Sequence, residues 1–571
     1  MARLHHLKIQ HFRGIESFEQ TFETGITCII GRGDSGKSTI LDAIAYVFSQ
    51  SWSVHLNDSD FYMCNTASSI VIEGTVVGIP DILASKFNNH IRGISEDGSI
   101  IDDMESEEAI NAQPALTIQL KVTKDLEPTW SVISDHGEEP TTIKAIDRGK
   151  LNVFAVADYT DRHFSLNKGN PLYSLYKQIN GDTIDEENRV LDVVREAKTA
   201  FDRSIETKFN DVIKIIKNEA ETLGITLNDL NAKLDHRDIA ISENKVSIHE
   251  NEVPFRLKGK ASKRLLSLSI QLALTQPTGI ILIDEIEQGL EPDRVQHLVS
   301  ELAKKKDMQI ILTTHSSNVV VEIPCNSLYI MRESNSSLLH VEGELQNCIR
   351  KNPEAFFATK VIVCEGATEV GLCRAINQFR IDRGLPPAAC KGVRFADGSG
   401  NAMKDYVLDF RSLDYPTALF CDSDPGGKKI NDMKQEFRDN GVEIIDCENG
   451  YSIEGQIFKD VPWNVVRDLL ALYIDNKANS DSITSEQISK DILSCINNRL
   501  FSKIGWSENW MDIEQQDWRN IIAKIAGEGK WFKRIEYGEQ MGKCILDHYA
   551  ELADGCHLKK EIDSICNWID A

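Results

Sequence analysis

The 571-residue sequence has no apolar run approaching the ~20 residues that a bilayer-crossing helix needs. Its first ten residues, Met1 to Gln10, alternate polar and apolar side chains and form no signal-peptide core. Low-complexity tracts are missing too, with Gly and Pro scattered along the chain, which argues against wholesale disorder. These absences lead us to expect a cytoplasmic, globular protein with no membrane partner.

Paired cysteines are also lacking. The 13 cysteines are odd in number, and none falls in a Cys-x-x-Cys pair or in metal-ligand spacing with His, so buried reduced thiols are expected. Positive charge is scarce: 63 Lys and Arg stand against 88 Asp and Glu, a formal net charge of -25. A protein that coats nucleic acid through its overall field is thereby excluded, and any DNA contact must be local. Lys258, Lys260, Lys263 and Arg264 form one candidate patch, Lys428 and Lys429 a second, and Lys524, Lys530, Lys533 and Arg534 a third. Each could equally be a solvated face. What is present is length for at least two domains, with 41% hydrophobic and 26% charged residues.

In the first half, the apolar run Gly25 to Ile30 leads into Gly31-Arg32-Gly33-Asp34-Ser35-Gly36-Lys37-Ser38 and then the helical stretch Thr39 to Phe48. Strand, glycine loop and helix in that order make a P-loop. Glycines let backbone N–H groups approach phosphates and the helix N-terminus adds positive potential. Lys37 would reach the terminal phosphates and Ser38 would hold Mg²⁺. An ATPase of this kind also needs an acidic strand end. Ile280 to Ile283 reads as a buried strand ending in Asp284-Glu285, with Asp284 expected to bind Mg²⁺ through water and Glu285 to act as general base. Glu287 to Asp293 follows, and then a second apolar strand, Gln309 to Leu312, ends in Thr313-Thr314-His315-Ser316, which places His315 to sense the terminal phosphate.

These residues resemble the ABC ATPases of the RecF and structural-maintenance-of-chromosomes type. Leu4-x-x-Leu7-x-Ile9-x-x-Phe12-Arg13-Gly14-Ile15 resembles their first hairpin, which implies Arg13 near the nucleotide. In that family a signature loop of one subunit closes the ATP site of another. Its counterpart here is Lys258-Gly259-Lys260-Ala261-Ser262-Lys263-Arg264, a degenerate match with Ala261 in place of the second glycine. The resemblance implies nucleotide contacts from Arg13, Gly31, Gly33, Asp34, Ser35, Gly36, Lys37, Ser38, Thr39, Asp284, Glu285, Ser262 and His315.

More than two hundred residues separate the P-loop from that signature, so something is inserted. Ser68 to Gly78 and Ala115 to Ile133 alternate like strands. Pro171 to Leu223 turns helical, with Val190, Val193, Val194, Ala197, Ala200 and Phe201, then Phe209, Val212, Ile213 and Ile216, spaced at three and four. A compact insertion that packs on a partner subunit fits this stripe, as does a core-facing lobe.

The second half carries carboxylates at strand ends. Val361 to Cys364 ends in Glu365-Gly366-Ala367-Thr368-Glu369 before a helix to about Arg380, and Ala418 to Cys421 ends in Asp422-Ser423-Asp424. Between them Phe395 to Asn401 reads as a glycine turn at another strand end. Strand C-termini of a parallel sheet converge on one crevice, so these acids should meet. Two hard cations held there can position a phosphodiester, activate water and stabilise the leaving oxygen.

The Glu-Gly-x-x-Glu and Asp-x-Asp pair resembles the Toprim pattern. An N-terminal ABC ATPase followed by Toprim resembles the overcoming-lysogenization-defect (OLD) nucleases over nearly the whole chain. Asp161 to Ser165 and Glu287 to Arg294 look like the nuclease subunit of the Gabija anti-phage system, and retron-associated effectors of the family are an equal comparison. The resemblance implies a DNA endonuclease regulated by ATP, built as a homodimer or homotetramer. It further implies one Mg²⁺ at the ATP site, two Mg²⁺ or Mn²⁺ at the Toprim site, and a helicase-like defence subunit or a retron RNA or DNA as partner. Carried over, Glu365, Glu369, Asp422, Asp424 and Glu454 would be metal ligands, with Glu365, Asp422 and Asp424 catalytic. A C-terminal lysine would steady the charged phosphate. Lys533 is the first choice and Lys543 the reserve.

The expected fold class is α/β. Residues 1–165 and 241–350 would form the ATPase, 166–240 a helical dimerisation insertion, 351–465 the Toprim core with a Rossmann-like sheet, and 466–571 a helical tail. The tail tryptophans Trp463, Trp506, Trp510, Trp518 and Trp531 suit either a core or base stacking. Two other readings are a sensor ATPase that binds nucleic acid without cutting it and a topoisomerase-like strand transferase, although no breakage domain with a nucleophilic tyrosine is apparent.

Overall fold

A computed structural model describes residues 2–102, 111–134, 139–156, 160–166, 170–180, 198–234, 246–275, 279–332, 336–343, 345–400, 402–423, 428–481, 483–515 and 517–571. It divides into two compact units, Met1–Gln346 and Asn347–Ala571. Val190, Val193, Val194 and Ala197 of the helical stripe, as well as Asp424, lie outside the described residues.

In the first unit, a sheet of order Val153–Val156, Ile280–Ile283, Gln309–Thr313, Ile26–Ile30, Leu328–Ile330 and Leu339–His340 places the P-loop strand near its centre. All its pairings are parallel except the last. Its central strands are buried on both faces, which is why Ile280–Ile283 and Gln309–Thr313 read as continuous apolar runs instead of alternating ones. A second, antiparallel sheet runs Ile15–Thr21, Arg3–Phe12, Ile70–Val77, Gln113–Val122, Ile91–Ile94, Ile100–Ile101, with Pro128–Ile133 also on Gln113–Val122. Leu7, Ile9, Ile70, Ile72, Ile118 and Leu120 supply its buried face, packed around the P-loop helix Lys37–Val47 through Ile40, Ile44 and Phe48. Gly74 is obligatory there, since a Cβ would stand 2.4 Å from the Phe48 ring. The expected strands are thus Ile70–Val77, Gln113–Val122 and Pro128–Ile133. Of the stripe, Phe209, Val212 and Ile216 on helix Lys198–Thr222 are buried, with Tyr176 stacked on Phe209 at 4.8 Å.

In the second unit, four parallel strands run in the order Val393–Asp397, Lys360–Cys364, Thr417–Cys421, Glu443–Asp446. One core joins that sheet to the C-terminal helices, from Ile362 and Phe420 through Ile457 and Leu469 to Ile545 and Ile565. Trp510, Trp518 and Trp531 are buried in it and Trp463 packs against it, so core packing accounts for four of the five tail tryptophans. Trp506 is the exposed one, with Lys490 over its ring.

All 13 cysteines are free. Cys64, Cys390 and Cys495 are exposed, which departs from the expectation of buried thiols. Among the described residues no helix is long and apolar enough to cross a membrane.

Candidate active sites

The P-loop is shaped by backbone that only glycine adopts at low strain. Gly31 has φ +154, and a Cβ there would stand 2.4 Å from the Met331 carbonyl; Gly36, at φ +96, starts the helix in a left-handed turn. Lys37 Nζ curls back into the loop, donating to the carbonyls of Gly31 at 3.0 Å and Arg32 at 2.7 Å. Burial lowers its pKa despite the carboxylates of Asp284, Glu285, Glu287 and Asp34 around it.

From the other side, the strand end Asp284-Glu285 closes on the loop. Asp284 Oδ1 accepts from Ser38 Oγ at 3.1 Å and Thr313 Oγ1 at 2.5 Å, while Glu285 N donates to Thr313 Oγ1 at 2.8 Å. Glu287 accepts from Thr314 Oγ1 and from the His315 backbone N–H, both at 2.6 Å, which locks the two neighbouring strand ends together. A cleft of about 720 Å³ results, lined by Gly33 to Thr39, Glu285 and His315 and, opposite, by Gly14 to Ser17, Tyr62 and Met331. Thr313 and Glu287 escape a reading that looks only for ligands. Their signal is the run of hydroxyls after an apolar strand opposite an acid-rich one.

Two groups of cations are engaged by protein acids and carbonyls. Arg13, expected near the nucleotide, does not line this cleft: its guanidinium is taken by Asp42 and by Asp60, the latter at 2.9 Å, and stacks on Phe12. Its backbone neighbours Gly14 and Ile15 line the cleft instead. Nor are Lys258, Lys263 and Arg264 a free basic patch. Lys258 pairs with Glu250 at 2.6 Å and Lys263 with Asp161 at 2.9 Å. Arg264 is buried and donates to the Asp284 and Glu285 carbonyls, fastening helix Lys260–Thr275 to the strand end. Ser262, on the first turn of that helix, lies outside the cleft lining.

The second site is assembled from four separate segments. Strand Lys360–Cys364 delivers Glu365, whose N–H donates to the Phe420 carbonyl at 2.9 Å and whose Oε2 accepts the Asp422 N–H at 2.9 Å. The glycine turn after strand Val393–Asp397 folds back on that strand end, with Gly398 N donating to the Cys364 carbonyl and Gly400 N to that of Glu365. One turn into helix Ala367–Asp382, Glu369 Oε2 accepts the Gly366 N–H at 2.9 Å and so caps its own helix. Asp422 Oδ1 accepts the Ile453 N–H at 2.7 Å, at the start of the helix that carries Glu454. The fourth segment is the turn before helix Ile535–Asp547, which brings Lys533.

The electrostatics show that these groups share one neighbourhood. Burial first, then the charges of Glu369, Glu365 and Glu454, push Asp422 up to about 8. Burial raises Glu369 to about 7, with Glu365 and Glu454 adding to it and Lys533 opposing. Partial burial would depress Lys533, but Glu454, Glu369, Asp422 and Glu365 outweigh it and its pKa rises. Lys543, the reserve, is fully exposed and pairs with Asp547 one helical turn away at 2.9 Å. Lys434, which a ligand search passes over, is 2% exposed and donates to the Asp422 carbonyl, Ser423 Oγ and Asp446.

Among the described residues no three His, Cys, Asp or Glu side chains stand ready to hold one metal ion together. The donor set nevertheless fits hard divalent cations. Glu369 Oε1 and Glu454 Oε1 are buried with no hydrogen-bond partner, a costly state that a bound cation relieves.

A model of the family described as "AAA domain, putative AbiEii toxin, Type IV TA system" matches residues 26–322, and the OLD-protein-like TOPRIM domain matches residues 356–424. This chain belongs to the OLD-type ATPase–TOPRIM family. Solved structures similar to this OLD-type chain include the Smc head domain with an extended coiled coil from Pyrococcus furiosus, at 13% identity and TM-score 0.36, covering 62% of this chain and 99% of that one. The SMC head domain from Thermotoga maritima matches at 16% identity and TM-score 0.30 over 60% and 100%, and the recombination mediator RecF with ATP at 14% and 0.35 over 60% and 98%. By its two family matches the OLD-type protein joins an ATPase domain to a TOPRIM nuclease domain, domains that generally use ATP and divalent metal.

Proposed function

We propose that the protein is a nucleotide-regulated, divalent-metal-dependent DNA endonuclease of anti-phage defence. The observation that carries this reading is the gathering of Glu365, Glu369, Asp422 and Glu454, with Lys533, around buried carboxylate oxygens that lack partners. In this reading these four acids and Asp424 hold two Mg²⁺ or Mn²⁺ ions. Bound metal would lower the pKa of water and shield the phosphate. Glu365, Asp422 and Asp424, as the catalytic acids, would hold it beside the scissile phosphodiester, and Lys533 would stabilise the charge that builds on the phosphate oxygens.

At the other site Lys37 and the P-loop amides hold the triphosphate, Ser38 and Asp284 hold one Mg²⁺, Glu285 draws the proton from attacking water and His315 faces the terminal phosphate. Ser262 serves the ATP site of a second subunit in a homodimer or homotetramer, with residues 166–240 at the dimer contact. A helicase-like defence subunit or a retron nucleic acid completes the system, and a nicked or cut duplex is the product.

The test is supercoiled plasmid incubated with Mg²⁺ or Mn²⁺. Nicked or linear DNA with free ends from the wild type, abolished in Asp422→Ala, supports the proposal. Intact plasmid with the wild type, equal cutting by the variant, or protein linked to the DNA end overturns it.

A further inference from the structure

Lys533 sits in a turn, and nothing within that turn explains how its ammonium keeps station beside acids from distant parts of the sequence. The two residues before Lys533 are pinned. Trp531 is buried and stacks on Tyr473 at 4.0 Å and 12°. Phe532 is also buried, and its carbonyl, one residue before Lys533, accepts the Thr368 hydroxyl at 3.0 Å. Thr368 is 0% exposed and immediately precedes Glu369.

Around that bond the helices Ala367–Asp382 and Ile535–Asp547 touch backbone to backbone. A Cβ on Gly371 would stand 2.4 Å from the Ile535 carbonyl, and one on Gly538 2.7 Å from the Thr368 carbonyl. The packing sets the separation and register of the two helices. The Thr368 bond ties the backbone that carries Lys533 to the backbone that carries Glu369.

We propose that Thr368 is a positioning residue: through the Phe532 carbonyl it holds Lys533 at the spacing from Glu369 that the charge-stabilising step requires. This rests on the phosphodiesterase reading above. A lysine stem is long and flexible, so freeing its backbone anchor lets the ammonium drift. Misplacement by about 1 Å can lower a rate by about a hundredfold.

The experiment compares wild type, Thr368→Val, Thr368→Ser, Lys533→Ala and the double variant Thr368→Val/Lys533→Ala, all in the full chain, on plasmid with Mn²⁺. Thr368→Val should lower kcat about ten- to a hundredfold with KM for DNA within about twofold, and Thr368→Ser should restore it. In the Lys533→Ala background Thr368→Val should change residual kcat by less than about twofold, because the group it positions is gone. Wild-type kcat in Thr368→Val, an equal loss with and without Lys533, or failure of Ser to rescue a folded Val variant overturns the inference. A thermal unfolding curve for each variant identifies folding loss; should Val unfold the chain, Thr368→Ala with the same Ser rescue and the same cycle decides. If wild type itself leaves plasmid intact, the phosphodiesterase reading has failed first, which is a different outcome from cleavage that ignores Thr368.

Discussion

The two sites handle negative charge in opposite ways. At the P-loop, the acids are satisfied by protein: Asp284 takes hydroxyls from Ser38 and Thr313, and Glu287 takes a hydroxyl and a backbone N–H. The loop's lysine folds onto the loop's own carbonyls. In the TOPRIM site the acids are crowded against each other and left short of donors, so that Asp422 and Glu369 are pushed to about 8 and about 7. A nucleotide is offered a preformed cradle, whereas a cation is offered unrelieved repulsion. Preorganisation in the first site favours a polyanion and frustration in the second favours a metal.

The comparison breaks most sharply under single substitutions that should affect one chemistry alone. Glu365→Gln should lower plasmid cleavage by about a thousandfold and leave ATP turnover in place, and Lys533→Ala should lose about two to three orders of magnitude in the same assay. Glu285→Gln should do the converse, slowing ATP hydrolysis about a hundredfold or more while nucleotide still binds. Its effect on cleavage then reads out whether the ATP state controls the nuclease. Loss of both activities in either acid variant, in folded protein, would show that the two sites are not chemically separate.

A smaller effect sharpens the electrostatic half. Because Asp422 and Glu369 are raised, the folded protein binds more protons than the unfolded chain from about pH 4 up to about 8. Their contribution to stability is therefore fully present below about pH 4 and is lost as pH rises through about 7 to 8. Metal must displace the same protons, so affinity for Mn²⁺ should strengthen by up to about tenfold per pH unit for each proton released, across pH 6 to 8. Thermal unfolding at pH 5, 7 and 9 should show a fall in Tm with rising pH that Mn²⁺ reverses and that Asp422→Asn reduces. A metal affinity flat over this range would mean the acids are not coupled to the ion.

How far the sequence could be read follows the same division. The P-loop is contiguous, and its partner acid stands at the end of an apolar strand, so Lys37, Ser38 and Asp284 could be placed from spacing alone. The convergence of Glu365 and Asp422 was legible too, because strands in a parallel sheet end on one side. What could not be read was where long cations go. Arg13 was expected near the nucleotide, and its guanidinium is held by Asp42, on the P-loop helix, and by Asp60. The pairing of Lys263 and Arg264 in the candidate patch could not be read, because their partners Asp161 and the Asp284 carbonyl are distant in sequence or belong to the backbone. Thr368 and Phe532 are 164 residues apart, and no periodicity announces a hydroxyl-to-carbonyl bond across that distance.

The choice between the two C-terminal lysines carries the smallest expected effect and the cleanest contrast. Both precede or lie on helix Ile535–Asp547, and charge alone does not separate them. Lys533 has its pKa raised chiefly by four carboxylates of the site, against partial burial, whereas Lys543 owes its rise to Asp547 on its own helix. An exposed i,i+4 pair on a helix contributes little, and bulk water screens its charge from anything further away. Lys543→Ala should therefore change cleavage by less than about twofold and leave Tm almost unmoved. Should Lys543→Ala match the loss in Lys533→Ala, the electrostatic grouping drawn for the TOPRIM site would be wrong.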